Sequence, residues 1–340
     1  MRNLESDEKP LIGWVISGDK SVASSRLQGF NVHDYLVSQG LDSEIICTDF
    51  NKTWQGYSSS FLRLARKILK RRYDVVLFER PNWMMYKLSE LVRTRKTKTV
   101  AIRCDPLPGP YDTHFDLTVV PTEGLAKILE LDTYRVIDDM IEVPQETYKK
   151  NYDQLGERLR IVWVGHGSYK TYIQDFAVQL GEIKSLKERI EFVTISKGDW
   201  ATYPWSLDTV YEHIIACDVA IIPMPKGERY QAKSTNRLTM CMALGMPTIA
   251  SPIPPYVATG KVGQICLFAD TIPAFGEALS QLESRPLREQ LGVSARIAAR
   301  RHYNRDIIGA EWLEMIRTLD TATGRSGGMK AKLLGQLLRV

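Results

Sequence analysis

The tightest constraint on this chain is a rhythm: short, almost uninterrupted apolar runs alternate with longer helix-like stretches, and the series runs through twice. Strands covered on both faces read as continuous apolar runs, whereas strands with one wet face alternate. In the first half the strand pattern falls at 11–16, 43–47, 74–78, 99–103 and 117–120, with helices expected around 24–39, 61–71 and 86–94. The second half repeats it with strands at 159–165, 190–195, 219–222, 247–250 and 265–267. Helices are expected there over 171–180, 206–216, 235–244, 273–283, 286–303 and 310–319. Strand–helix alternation of this kind builds a mainly parallel sheet covered by helices, so the fold class is α/β with two doubly wound, Rossmann-like domains.

A chain of 340 residues exceeds one typical core and suits two domains of ~150 residues each. Pro144 closes an extended segment and 145–157 is polar and charged, which sets the expected boundary near 150. The predicted division is therefore 1–150, 151–320, and a Gly- and Ser-rich linker with a basic amphipathic tail over 321–340. That tail combines Lys330, Lys332 and Arg339 with Leu333, Leu334, Leu337 and Leu338.

The net charge of +5 permits anionic partners without demanding nucleic acid, and neither a repeated module nor a nucleic-acid-binding signature is legible. Cys47, Cys104, Cys217, Cys241 and Cys266 form no C-x-x-C and stand near no His cluster, so neither a zinc site nor a disulfide framework is expected. Residues 1–8 are polar and carry both charge signs, unlike the apolar centre of a signal peptide, and no apolar run is long enough to span a membrane. The expectation is a cytoplasmic protein.

The most informative stretch runs from Ile221 to Pro255. A strand ends at Pro223, a loop follows, and Lys233-Ser234-Thr235-Asn236-Arg237 opens an apolar helix that stops at Gly245. Ser234 or Thr235 is placed to cap the helix and Gly245 to end it. A helix start exposes unpaired N–H groups and partial positive charge, and two cations beside it suit a pyrophosphate. The same residues also read as a capped helix with two solvated basic side chains. Gly165-His166-Gly167-Ser168-Tyr169-Lys170 follows a strand and precedes a helix, an arrangement that suits either close phosphate approach or an ordinary turn.

The order Ala-Leu-Gly-Met-Pro-Thr-Ile-Ala-Ser at 243–251 resembles the donor-domain signature of GT-B glycosyltransferases, near the large family-4-like group (glycosyl transferases group 1). Lys-Ser-x-Asn-Arg at 233–237 resembles a bacterial subset of that group. Val162–Gly165, Ala216–Ala220 and the helices through Trp312 extend the resemblance over most of the chain. It implies two Rossmann-like domains facing a central cleft. The implied reaction moves a sugar from a nucleotide-sugar co-substrate to a saccharide or lipid-linked acceptor, with retention of configuration and no metal held by the protein. Surface polysaccharide or glycoconjugate synthesis of the bacterial type is the implied setting. Better-known members carry two acidic residues framing the signature helix. Aligned on Gly245, those positions fall on Ala232 and Met240, while Glu228 is out of register. The resemblance therefore leaves the ribose and base contacts unassigned.

Under this resemblance Lys170, Lys233 and Arg237 would stabilise the departing diphosphate. Gly165, Gly167, Ser196, Lys197, Ser234, Thr235 and Asn236 would line the donor pocket, with Pro252–Tyr256 as its wall. On the acceptor side stand Ser17, Gly18, Asp19 and Arg26. Asp105 is the candidate to position or deprotonate an acceptor hydroxyl, with Glu79, Arg80 and His114 behind it. Asp before Pro is also a common turn starter, and Ser24 also reads as a helix cap.

Arg63, Arg66, Lys67, Lys70, Arg71 and Arg72 crowd one helix with Leu62, Leu64, Ile68 and Leu69. A basic amphipathic helix can lie on an anionic membrane, or its apolar face can cover the sheet. Together with the basic tail it suggests weak peripheral attachment at the inner face of the membrane. Two other functions fit the same residues: an inactive nucleotide- or sugar-binding protein, and a sugar-nucleotide epimerase. A Rossmann dehydrogenase does not fit, because no G-x-G-x-x-G follows the first strand.

Overall fold

The structure, a computed structural model, describes residues 9–50, 58–94, 96–106, 114–154 and 156–319. They form two compact units, each built on a six-stranded sheet in which every strand pair is parallel.

The first unit contains β1 (Leu11–Ile16), β2 (Asp42–Cys47), β3 (Val75–Glu79), β4 (Lys98–Ile102), β5 (Leu117–Val120) and β6 (Tyr134–Val136). Its strand order is β2-β1-β3-β4-β5-β6, so the winding reverses between β1 and β3. A π-helical turn over Ser25–Phe30 leads into α1 (Asn31–Ser38), followed by α2 (Ser58–Arg71), α3 (Trp83–Val92) and α4 (Glu123–Ile128). Asn82 and Thr122 start α3 and α4 by accepting the Met85 and Leu125 amides. Val15, Val76, Phe78 and Ala101 form one core layer with Leu64, Ala65 and Ile68 of α2 and Met85 and Leu88 of α3.

This packing decides how α2 is used. Its apolar stripe fills the unit's own core, and Arg63, Lys67, Lys70, Arg71 and Arg72 form the exposed side. Of the apolar residues of this helix only Leu62 is exposed, so what it presents outward is mainly charge. The basic tail lies outside the described residues. Among the described residues no helix is long and apolar enough to cross a membrane.

The second unit contains β7 (Leu159–Val164), β8 (Ile190–Ser196), β9 (Tyr203–Pro204), β10 (Val219–Ile222), β11 (Thr248–Ala250) and β12 (Leu267–Phe268). The order β12-β11-β10-β7-β8-β9 is the dinucleotide-fold order 3-2-1-4-5-6 read from its far edge, with the reversal between β7 and β10. Its helices are α5 (Lys170–Gly181), α6 (Val210–Ile215), α7 (Glu228–Gln231), α8 (Asn236–Ala243), α9 (Pro254–Gly260), α10 (Ile272–Gln281) and α11 (Arg285–His302). Ile161, Trp163, Val219, Ile221 and Ile249 from the sheet pack with Ile173, Phe176, Phe275 and Leu279 from α5 and α10.

Two expectations about organisation are corrected. The second unit begins at Asp138, and the last described helix, α12 (Arg305–Thr318), belongs to the first unit from Asp306 onward. Trp312 lies 6.4 Å from Trp14 of β1, ring to ring, and Gly309 meets Tyr35 so closely that an added Cβ would stand 2.5 Å from the ring. Nothing in the local pattern of α12 names the sheet it covers. The polar stretch where the boundary was expected is likewise part of the second unit, with residues 145–154 strapped onto it. Lys149 is buried and donates to the Cys217 and Ile215 carbonyls at 2.8 and 3.2 Å, closing the end of α6. The Tyr152 hydroxyl donates to Gly245 O, and Arg288 donates to Tyr152 O. Polar composition misled because these side chains satisfy backbone carbonyls inside the fold rather than water.

Candidate functional site

In open parallel sheets ligands gather beyond the carboxyl ends of the strands, where the winding reverses. Each unit has one such position, and the two are furnished differently.

In the first unit the reversal lies between β1 and β3. Ser17 and Gly18 leave β1 and Glu79 ends β3; one Glu79 oxygen, Oε2, accepts from Ser17 N at 3.0 Å, Ser17 Oγ at 2.7 Å and Ser25 Oγ at 3.0 Å. Its other oxygen, Oε1, is buried with no hydrogen-bond partner. Gly18 is required here: a Cβ would stand 2.9 Å from both Ser25 Oγ and Val22 Cγ2. Arg80 follows in the left-handed region at φ 48°, and Cys104 and Asp105 leave the neighbouring β4. The Cys104 thiol is pushed far up by burial, then by the Asp105 carboxylate, with Arg80 and Glu79 also near.

Of the residues expected on this side, Ser17, Gly18 and Asp105 reach the strand-end edge. Arg26 is buried and donates Nη1 to Lys20 O at 2.8 Å, and Asp19 accepts the Ser21 amide in a local turn. Both shape the loop. His114 packs its ring edge-on against Tyr86 at 4.7 Å and lies 3.8 Å from Glu90, in a surface cluster on α3. Glu79, a secondary candidate by sequence, is the centre of the network. A carboxylate closing an apolar run, VVLFE, beside a run that ends in Ser was the available signal.

In the second unit the reversal lies between β7 and β10, and α8 brings its first turn to the same place. Arg237 stands at its centre: its guanidinium lies 5.1 Å from the centre of the Tyr169 ring, beyond β7. Nη2 approaches the Met224 sulfur, beyond β10, at 3.2 Å. Met224 is itself fixed where its amide donates to Ser251 Oγ, beyond β11. Residues beyond two strand ends therefore meet one cation, and a third strand end fixes one of them. The Arg237 Nη1 is buried with no partner, and no carboxylate pairs with this side chain among the described residues.

Thr235 precedes α8 but does not cap it: the side chain accepts no helix N–H, and its hydroxyl donates to Asp138 at 3.1 Å. The expected cap is thus corrected, and the first-turn amides are left without it. Gly245 ends the helix at φ 67°, as expected.

Gly165 gives room for the Trp163 indole, which an added Cβ would meet at 2.5 Å. The 3₁₀ turn Gly167–Tyr169 follows, started by His166, whose Nδ1 accepts the Ser168 amide. Gly167 stands against the Lys197 carbonyl, so the loops after β7 and β8 touch. Ser196 is buried and its Oγ has no partner. Lys197 is exposed and lies over the Trp205 ring at 5.8 Å. Lys170 is exposed at the start of α5, while Lys233, Ser234 and Asn236 are half-buried before and within the first turn of α8. The expected residues of this unit share one sheet edge. Sequence reasoning missed the aromatic wall, in which Tyr169 meets Arg237, Tyr230 at 6.0 Å and Trp163 at 6.2 Å. Tyrosines spaced along loops carry no periodic signal.

Two doubly wound units of this kind define the GT-B fold of glycosyltransferases, and solved structures of that class match the chain along its length. It is similar to a glycosyltransferase from Rickettsia africae ESF-5 at TM-score 0.66 and 15% identity, covering 94% of this chain and 100% of that one. A sucrose-phosphate synthase from Thermosynechococcus elongatus matches at TM-score 0.62 and 12% identity, covering 93% and 100%. Anabaena HepE, in complex with UDP and glucose, matches at TM-score 0.58 and 12% identity, covering 92% and 100%. Identities this low establish the shared fold. No protein-family model matches the chain, and no curated protein matches it by sequence.

Proposed function

We propose that the chain is a glycosyltransferase that binds a nucleotide-sugar donor in its second unit and transfers the sugar to a saccharide or lipid-linked acceptor. The observation that carries this reading is Arg237: a half-buried guanidinium at a Rossmann reversal and a helix start, with one N–H group buried and unpartnered. A buried N–H group without an acceptor is costly, and an anionic ligand supplies both the acceptor and the opposite charge. The fold it shares with HepE, solved with UDP and glucose, supports a nucleoside diphosphate as that anion.

In this reading the bond between sugar and diphosphate breaks with its electrons left on the diphosphate. A glycosidic bond forms to an acceptor hydroxyl, which gives up its proton. Arg237, Lys233, Lys170 and the first-turn amides of α8 stabilise the departing charge, each well-placed donor contributing ~3 kcal/mol. Asp105 serves the acceptor hydroxyl, and Glu79 joins it on the same edge. Retention of configuration, a metal-free reaction, a role in surface polysaccharide or glycoconjugate synthesis and peripheral attachment through the basic side of α2 belong to the same proposal. Ala232 and Met240, both apolar where relatives carry acids, favour a second reading as a binding protein without turnover.

The test is a thermal-shift panel of UDP, GDP, ADP, TDP and CMP compounds, followed by donor turnover with and without EDTA. Stabilisation by a nucleoside diphosphate and EDTA-insensitive turnover are expected. Stabilisation without any turnover would select the binding-protein reading, and no stabilisation by any nucleotide would reject both.

A further inference from the structure

Tyr256 of α9 is fully buried, yet its hydroxyl has no hydrogen-bond partner. The Arg237 guanidinium lies beside it, short of a full hydrogen bond. Burial pushes the Tyr256 phenol up, so it stays protonated and keeps a proton to donate; the nearby Arg237 charge opposes that shift. Tyr169 and Met224 contact Arg237, and Tyr172 and Cys241 lie within reach of its charge. Burial holds Tyr172 and Cys241 at about 12, which leaves them neutral. None is a carboxylate. The cluster therefore gathers donors from Arg237 and Tyr256 around a weak thioether acceptor and a ring face, and no strong acceptor pairs with Arg237 among the described residues. A cluster with too many donors stays unsatisfied until an anion with several lone pairs arrives.

We propose that Tyr256 is a positioning residue of the donor site, whose buried hydroxyl and Arg237 Nη1, unpaired with each other, are joined through phosphate oxygens that complete the hydrogen bonds of both. The proposal rests on the nucleotide-sugar reading above and adds a residue and a selectivity to it: the pair reads phosphate, not base or ribose. The hydroxyl and Arg237 act on the same phosphate, so removing either should disable the same interaction.

The experiment measures binding of inorganic pyrophosphate, UDP and uridine by calorimetry to the full chain and to Tyr256→Phe, Arg237→Ala and the double variant. Tyr256→Phe removes a hydroxyl that has no partner, so the ligand-free protein should melt at or above the wild-type temperature. It is expected to weaken pyrophosphate and UDP binding about tenfold, and to leave any uridine binding unchanged. Arg237→Ala should weaken both phosphates about a hundredfold, and the double variant should match it within about twofold, because residues acting through one interaction are non-additive. Wild-type affinity in Tyr256→Phe, or fully multiplicative losses in the double variant, would overturn the inference and leave the donor reading standing. Wild-type protein that binds neither pyrophosphate nor any nucleoside diphosphate would remove both.

Discussion

The two strand-end positions share a topology and invert its chemistry. In the first unit a carboxylate, Glu79, is tied down by three donors, two of them serine hydroxyls. In the second a guanidinium, Arg237, faces a ring, a sulfur and a buried phenol, with one N–H group unpartnered. Three donors hold one oxygen of the first charge, although its Oε1 is buried without a partner, whereas no oxygen acceptor holds the second among the described residues. A parallel sheet decides where a ligand collects; the side chains at the reversal decide whether a charge there supports the fold or awaits a partner.

That contrast yields opposite expectations for deleting the two charges. Arg237→Met should reduce UDP and pyrophosphate affinity about a hundredfold, the loss of charge-assisted hydrogen bonds worth roughly 3 kcal/mol. Its ligand-free melting temperature should equal or exceed that of the wild type, since a buried N–H group without a partner is removed. Calorimetric titration and a thermal melt check the two halves, and a large loss of ligand-free stability would break the contrast. Glu79→Ala should do the reverse. It strands the Ser17 amide and the Ser17 and Ser25 hydroxyls, costing roughly 2–3 kcal/mol in a urea denaturation curve, while nucleotide affinity stays at the wild-type value.

A smaller effect is expected at the loop beneath Arg237. Gly165→Ala would set a Cβ 2.5 Å from the Trp163 ring and should cost about 1–2 kcal/mol in the same denaturation assay. Because Trp163 neighbours Tyr169, a weaker loss of pyrophosphate affinity should accompany it.

The smallest effect concerns Glu44, a half-buried counterpart of Glu79. The Tyr73 hydroxyl, 2.8 Å away, holds its carboxyl below the usual value of 4.5, helped by Lys67 and Arg71. A carboxylate with a lowered folded value stabilises above its unfolded value and loses that contribution as pH falls through the folded one. Stability should therefore drop slightly more below about pH 4.5 in wild type than in Glu44→Gln. Parallel acid-denaturation curves would remove Glu44 from the account.

Much of this was legible in the residues. The runs at 11–16, 117–120 and 219–222 match β1, β5 and β10 end to end, because a strand covered on both faces needs apolar side chains at every position. Short β6, β9 and α7 escaped notice, being three, two and four residues long and too brief to show a period. In the site, Lys233–Arg237 was readable as a cationic helix start, yet the cap was not: the Thr235 hydroxyl turns to Asp138, ninety-seven residues away in sequence. Glu79 and Tyr256 were legible as residue types, and their importance was invisible, since it lies in what surrounds them.

The sequence by itself determined the alternation of strand and helix, hence two parallel sheets whose carboxyl edges hold the chemistry-bearing loops. It also placed Gly245 where a left-handed turn ends α8, and two cations where the helix starts. Only the tertiary structure decided that α12 returns to the first unit, that 145–154 straps the second, and that Arg237 meets Tyr169, Met224 and Tyr256. The physical reason is range: periodicity and turn chemistry act over a few neighbouring residues. Whether a buried polar group is satisfied depends on atoms brought together from distant parts of the chain.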